Sequence, residues 1–230
     1  PERGDLMFLA PCAFSLNQVI SELRGRGIPF HNPYRRINGR WNPLGARKGT
    51  TLVDRIMAFT ALMRTGMPWD LDQIRAWAGM LAADKTFVRG VKARMLTDDF
   101  QPPRTIEELG ALLKDPGAVP RLIAGDMEWL AAHASTEYAE RLDYPMKIVR
   151  RFGHGGLVER PRVMVGTIHS VKGGQADTVA LAPDMSMKGM QSLWNDTDAI
   201  RRLMYVGMTR SRRDLYLCRP SRIRQHAGFW

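Results

Sequence analysis

Strand-like apolar runs lie towards the two ends of this 230-residue chain, and the stretch between them repeats only at helical spacing. Near the amino terminus, Leu6-Met7-Phe8-Leu9-Ala10 reads as a buried strand, and residues 15–25 as a helix with Leu16, Val19, Ile20 and Leu23 on one face. Ile28-Pro29-Phe30 follows as a short second strand, and residues 51–63 as a helix carrying Leu52, Ile56, Phe59 and Leu62. A β-α-β-α unit of this kind predicts a parallel sheet flanked by helices. Apolar runs return at 146–152, 162–168, 178–182 and 215–218, with a helix expected over 199–211. In between, Leu71, Ile74, Trp77, Ala78 and Leu81 recur at helical spacing, as do Phe87, Val91 and Met95. Thr105-Ile106-Glu107-Glu108 has the form of a capping box, and 122–142 reads as a further helix weakened by Gly125. The expected organisation is therefore an α/β domain of residues 1–64 and 146–230, interrupted by an all-helical insertion over 65–145.

Charge follows the same division. The chain carries a net +11, yet residues 65–148 sum to −3 and the remainder to +14. Arg35, Arg36, Arg40, Arg47 and Lys48 fall in a stretch without an acid, and eight Arg face only Asp214 in the last thirty residues. Such concentration points to a polyanionic partner, nucleic acid being the commonest; a solvated basic surface is the plainer alternative. A hydrophobic content of 44% with 25% charged residues excludes wholesale disorder. No apolar run approaches the roughly 20 residues that span a bilayer, so no membrane partner is expected. Two cysteines, Cys12 and Cys218, are too few for a disulfide framework and suit a reducing, cytoplasmic setting. Pro1-Glu2-Arg3-Gly4-Asp5 lacks the layout of a signal peptide, and without an initiating Met the sequence reads as part of a longer polypeptide.

Two segments can carry chemistry. In Val165-Gly166-Thr167-Ile168-His169-Ser170-Val171-Lys172-Gly173-Gly174-Gln175, a strand ends at a small polar residue and passes through hydrogen-bonding and basic residues into two glycines. Ligands of open α/β sheets bind at the carboxyl ends of strands, where Gly173 and Gly174 would admit an anion to the backbone. Lys172 would supply charge, and His169 and Ser170 hydrogen bonds to phosphate. A glycine-rich turn with an incidental His is the plainer reading. The second segment runs from Ala199 through Arg201-Arg202-Leu203-Met204-Tyr205-Val206 to Thr209-Arg210-Ser211, just before a strand. An Arg at such a helix end can be held stiffly and aimed at a phosphate.

Together these segments resemble motifs V and VI of superfamily 1 DNA helicases of the UvrD/Rep/PcrA type. There motif V reads approximately T-x-H-x-x-K-G-x-E and motif VI R-R-L-x-Y-V-x-x-T-R-A. The matching residues are Thr167, His169, Lys172 and Gly173, then Arg201, Arg202, Leu203, Tyr205, Val206, Thr209, Arg210 and Ser211. Gly27-Ile28-Pro29-Phe30 is similar to a turn near the start of the same half of those enzymes. The resemblance implies a RecA-like second motor domain with a helical insertion, in the C-terminal part of an ATP-dependent helicase moving 3′ to 5′ on single-stranded DNA. It implies that Arg210 is an arginine finger for the ATP γ-phosphate, with Gly173 and Gln175 near the nucleotide; Gln175 stands where the family has Glu, which removes a charge. Thr167, His169, Ser170 and Lys172 would lie along a single-stranded or partly duplex DNA track or couple it to the cleft. ATP and Mg2+ would be held mainly by an N-terminal RecA-like domain, since this sequence has no G-x-x-x-x-G-K-[ST] and no strand ending in Asp-Glu. The sequence by itself is then expected to be inactive as an ATPase, and no metal ligand is expected in it. The other reading is a non-catalytic nucleic-acid-binding or protein-interaction module that keeps the helicase fold.

Overall fold

A computed structural model describes residues 4–35, 39–45, 50–66, 68–97, 99–171, 173–189, 191 and 196–219. Its strands are β1 (Leu6–Ala10), β2 (Phe30–His31), β3 (Val163–Thr167), β4 (Ala176–Leu181) and β5 (Ser211–Leu217). The helices of six or more residues are α1 (Asn17–Gly25), α2 (Leu52–Phe59), α3 (Leu71–Ala78), α4 (Ile106–Ala111), α5 (Met127–Ala132), α6 (Thr136–Phe152) and α7 (Thr197–Met208). Among the described residues no helix is long and apolar enough to cross a membrane. The chain divides into two compact units, residues 1–45 with 159–230, and residues 46–158.

The first unit is an α/β, RecA-like arrangement with strand order β2-β3-β1-β4-β5, every adjacent pair parallel. β1 is the central strand: Leu6 lies opposite Val163 on one side and Thr178 on the other. Strands covered on both faces need unbroken apolar sequence, which is what Leu6–Ala10 and Val163–Thr167 supply. Met7, Leu9, Met164, Val179 and Leu181 form the core with Ile168 and Val171 and with Ile200 and Met204 of α7. Gly207 lets α7 come close, since a Cβ there would already sit 3.1 Å from Ile168.

The second unit is wholly helical. α2 and α3 each open on a capping box, Thr51 with Asp54 and Asp70 with Gln73, in which each side chain accepts from the other residue's backbone N–H. Phe59, Trp69, Trp77, Phe87 and Trp129 are buried together, Trp77 standing edge-on to Phe59 at 6.0 Å. At α4 the Thr105 hydroxyl caps Glu108 N–H, but the Glu108 carboxylate accepts from Arg104 N–H, one residue earlier than a capping box requires.

Two sequence expectations change here. The helix expected over 122–142 breaks at Gly125, which takes φ +59, and restarts at Asp126, whose carboxylate accepts from Glu128 and Trp129 N–H. The strand expected at 146–152 is instead the end of α6. Tyr144, Met146 and Ile148 alternate as a strand would, but Leu142, Pro145 and Met146 are buried at helical spacing. Glu137–Arg141 and Asp143–Lys147 pair at i,i+4 with the acid first, the order that supports a helix. Gly153 ends α6, and a single helical turn follows at Gly155–Val158. The helical unit is therefore wider than 65–145 at both ends: α2 packs on α3, and the end of α6 packs on the turn that follows it.

Candidate functional site

At the carboxyl end of β3 the polypeptide turns through one 3-10 helix, Ile168–Val171. Thr167, buried, caps it: its hydroxyl oxygen accepts from Ser170 N–H at 3.3 Å, and the Ser170 hydroxyl donates to the Thr167 carbonyl at 2.9 Å. Behind this turn lies Asn32, 1% exposed, immediately after β2. Its side-chain amide donates to the Val165 carbonyl at 3.0 Å and to Ser170 Oγ at 3.2 Å, and its Oδ1 accepts from Tyr34 N–H at 3.1 Å. A buried amide with its groups satisfied fixes its surroundings, because each lost partner would leave a desolvated polar atom. Gly166 is required by this contact, since a Cβ would stand 2.6 Å from Asn32 Nδ2 and 2.8 Å from Ser170 Oγ. Thr167 and Ser170 are thus held inward, while His169 is exposed on the turn. Lys172 lies outside the described residues.

Residues 168–175 then cross from β3, over β1, to the amino end of β4. By register Thr167 is level with Ala10 and Thr178 with Leu6, so Ala176 sits roughly 20 Å below Thr167 along the strand direction. Two strand spacings add about 10 Å sideways. A crossover this short has room for a turn and not for the usual helix. Gly173 takes φ +84 within it, with open space where a side chain would be. The sequence reading placed Gly173 and Gly174 at the carboxyl edge of the sheet; they lie instead on the crossing towards the amino edge.

At that amino edge the two motif segments meet. Ala176 N–H donates to the Arg210 carbonyl at 3.0 Å, and Ala176 pairs with Ser211 as β4 and β5 begin. The Arg210 guanidinium, half-buried at the end of α7, donates from Nε to the Val206 carbonyl at 2.9 Å and from Nη1 to the Gly174 carbonyl at 3.3 Å. Two carbonyls from different elements hold the plane of the fork, and both terminal nitrogens keep a further N–H for an anion. Gln175 is exposed and its Oε1 accepts from Arg212 at 3.5 Å. Arg213, by contrast, is tied to Asp214 at 2.9 Å, which raises its pKa.

The sequence singled out Thr167, His169, Ser170, Gly173, Gln175 and Arg210, and the fold distributes them over one crossover with Thr167 to Ser170 at its start and Arg210 at its end. It did not single out Asn32 or Tyr34. Tyr34 packs on Gly174 so closely that a Cβ there would overlap its hydroxyl. A single Asn in a loop of Asn, Pro, Gly and Arg carries no periodic signal, so only the register of β2 against β3 reveals it. Among the described residues no group of three or more His, Cys, Asp or Glu is placed to hold a metal ion. Residues 162–218 match the UvrD-like helicase C-terminal domain family. No curated protein matches the chain in sequence.

Proposed function

We propose, from the match of residues 162–218 to the UvrD-like helicase C-terminal domain family, that the chain is the C-terminal motor portion of an ATP-dependent DNA helicase, stepping 3′ to 5′ on single-stranded DNA. The observation that carries this reading is the fixing of Arg210 by the Val206 and Gly174 carbonyls where the two segments meet. A guanidinium held in this way needs no reorganisation to meet charge developing on a transferred phosphoryl group. The residues present fit a phosphate: Arg210 offers charge and N–H donors, Gly173 leaves its surroundings open, and Gln175 offers a neutral amide to a sugar hydroxyl. Bound ATP supplies the phosphoryl group, and the N-terminal RecA-like domain of the same motor supplies its main binding loop. Mg2+, like ATP, would be held mainly by that N-terminal domain. At the other end of the crossover, His169 with the turn fixed by Thr167, Ser170 and Asn32 faces the strand of DNA.

The test uses the 230-residue chain itself. It should bind a labelled single-stranded oligonucleotide with an affinity that falls steeply with salt, because Lys/Arg contacts to phosphate release counterions. It should show no DNA-stimulated ATP hydrolysis. Turnover by this chain alone, or binding that is indifferent to salt, overturns the reading.

A further inference from the structure

We propose that Arg35, Trp41 and Arg40 form a built phosphate clamp for single-stranded nucleic acid, adjoining the Thr167–Ser170 turn; the inference rests on the DNA-binding reading above. The Arg35 guanidinium lies 5.0 Å and the Arg40 guanidinium 5.7 Å from the centre of the Trp41 ring. Both arginines are exposed, and Trp41 is half-buried. Five other arginines of this unit answer to carboxylates, Arg26 to Glu22, Arg160 to Asp5, Arg201 to Asp198, Arg202 to Asp196 and Arg213 to Asp214, while Arg210 and Arg212 bond to carbonyl oxygens. Among the described residues Arg35 and Arg40 pair with no carboxylate and face an indole instead. An indole orients a guanidinium without neutralising it, so the charge stays available to an anion.

The described residues on either side are tied to the sheet. Asn42 closes the loop by imitating a strand partner: its Oδ1 accepts from Asn32 N–H at 2.8 Å, and its amide donates to the Asn32 carbonyl at 3.3 Å and the Arg35 carbonyl at 2.7 Å. Arg40 donates to the Ala13 carbonyl at 3.3 Å, which sets the loop against the connection leaving the carboxyl end of β1. Asn32 in turn bonds Ser170. The clamp and the Thr167–Ser170 turn thus share one buried amide and one edge of the sheet. Two guanidiniums, pre-set at a fixed spacing beside a flat aromatic ring, suit a phosphodiester backbone whose bases are unpaired. Binding of a strand here incurs less ordering cost, because the ring already restricts both arginines.

The experiment measures binding of a fluorescein-labelled oligo-dT by the full chain across a salt series, with Arg35→Ala, Arg40→Ala, Trp41→Ala and Trp41→Phe. Each Arg→Ala variant should weaken binding about tenfold and flatten the plot of log affinity against log salt by about 0.7, the contribution of one phosphate contact on a single strand. Trp41→Ala should weaken binding to a similar extent, and Trp41→Phe, which keeps a ring face, should recover most of it. Arg26→Ala, exposed and paired with Glu22, should match wild type. Thermal melts monitor folding, and the Phe variant keeps the test decisive should the Ala variant melt early. If wild type binds and all four variants bind equally well with unchanged slopes, the clamp is wrong while the DNA-binding reading stands. If wild type binds no oligonucleotide at any salt, both fall together. Equal affinity for heparin and oligo-dT, lost in parallel in the arginine variants, overturns the assignment to nucleic acid in favour of general polyanion attraction.

Discussion

The two ends of the β3–β4 crossover use their polar residues in opposite ways. At the carboxyl edge, Thr167 and Ser170 bond to each other and to the buried Asn32, and the charge beside them belongs to a separate loop, on Arg35 and Arg40. At the amino edge the motif residue carries the charge itself: Arg210 is the cation, and its supports are main-chain carbonyls. A hydroxyl serving as a cap tolerates few replacements yet binds little, whereas an Arg braced by carbonyls has donors to offer. The difference teaches that a short motif can mark scaffolding at one end and chemistry at the other. The two ends should therefore fail in different ways when mutated.

The largest effect is expected at the amino edge. In the complete motor that the proposal implies, Arg210→Ala should lower DNA-stimulated ATP turnover on the order of 10³-fold, and Lys should restore little, because a point charge cannot reproduce the guanidinium fork. Arg213→Ala, already tied to Asp214, should change turnover little. Steady-state hydrolysis of the three variants decides it, and equal losses at 210 and 213 would erase the distinction between the edges.

At the carboxyl edge the expected failure is of folding. Asn32→Ala leaves the Val165 carbonyl and Tyr34 N–H without their partner, and should destabilise the α/β unit by about 2–3 kcal/mol in urea unfolding. The glycines sharpen the contrast. Gly166→Ala drives a methyl into Asn32, Ser170 and Val171 at 2.6 to 2.8 Å and should lower stability by about 2 kcal/mol. Gly174→Ala meets the half-exposed Tyr34, which can swing outward, so it should lower stability by less than about 1 kcal/mol while shifting the carbonyl that holds Arg210. A larger stability loss at 174 than at 166 would reverse the proposed division.

Legibility in the sequence follows the same physics. The inner strands were readable because a parallel strand covered on both faces must be largely apolar, and β1, β3 and β4 fall on the runs picked out; β5, at the sheet edge, carries the exposed Arg212 and Arg213 near its start and overlaps its run only over 215–217. The place of Arg210 between a helix and a strand was readable from local pattern, whereas the role proposed for it comes from the motif resemblance. The end of α6 was misread because Met146, Ile148, Val149 and Phe152 make a short apolar run after a charged stretch, and the i,i+4 pairs that begin at Glu137 and Asp143 and speak for a helix start earlier in the chain. Asn32 and Asn42 were illegible for a different reason: their importance comes from β2 aligning with β3, a long-range register that no local pattern encodes.

The smallest effect concerns His31, on β2 beside the Asn32 hub. Burial, and then the nearby Arg160, lower its pKa, with Asp5 opposing them. The unfolded chain, with its His near the ordinary value of about 6.5, binds more protons than the folded one, so stability is full above that pH and falls as pH drops through it. Urea midpoints measured between pH 8 and 5.5 should decline modestly, and His31→Gln should flatten that part of the decline.

The claim that the two edges divide strand binding from nucleotide chemistry is tested most directly by nucleotide-free oligonucleotide affinity of the 230-residue chain, compared between Arg210→Ala and Arg35→Ala over one salt series. Arg210→Ala should match wild type in both affinity and salt slope, while Arg35→Ala should weaken binding about tenfold with a slope flatter by about 0.7. Loss of affinity and slope in Arg210→Ala equal to that in Arg35→Ala would place Arg210 on the strand and contradict the division.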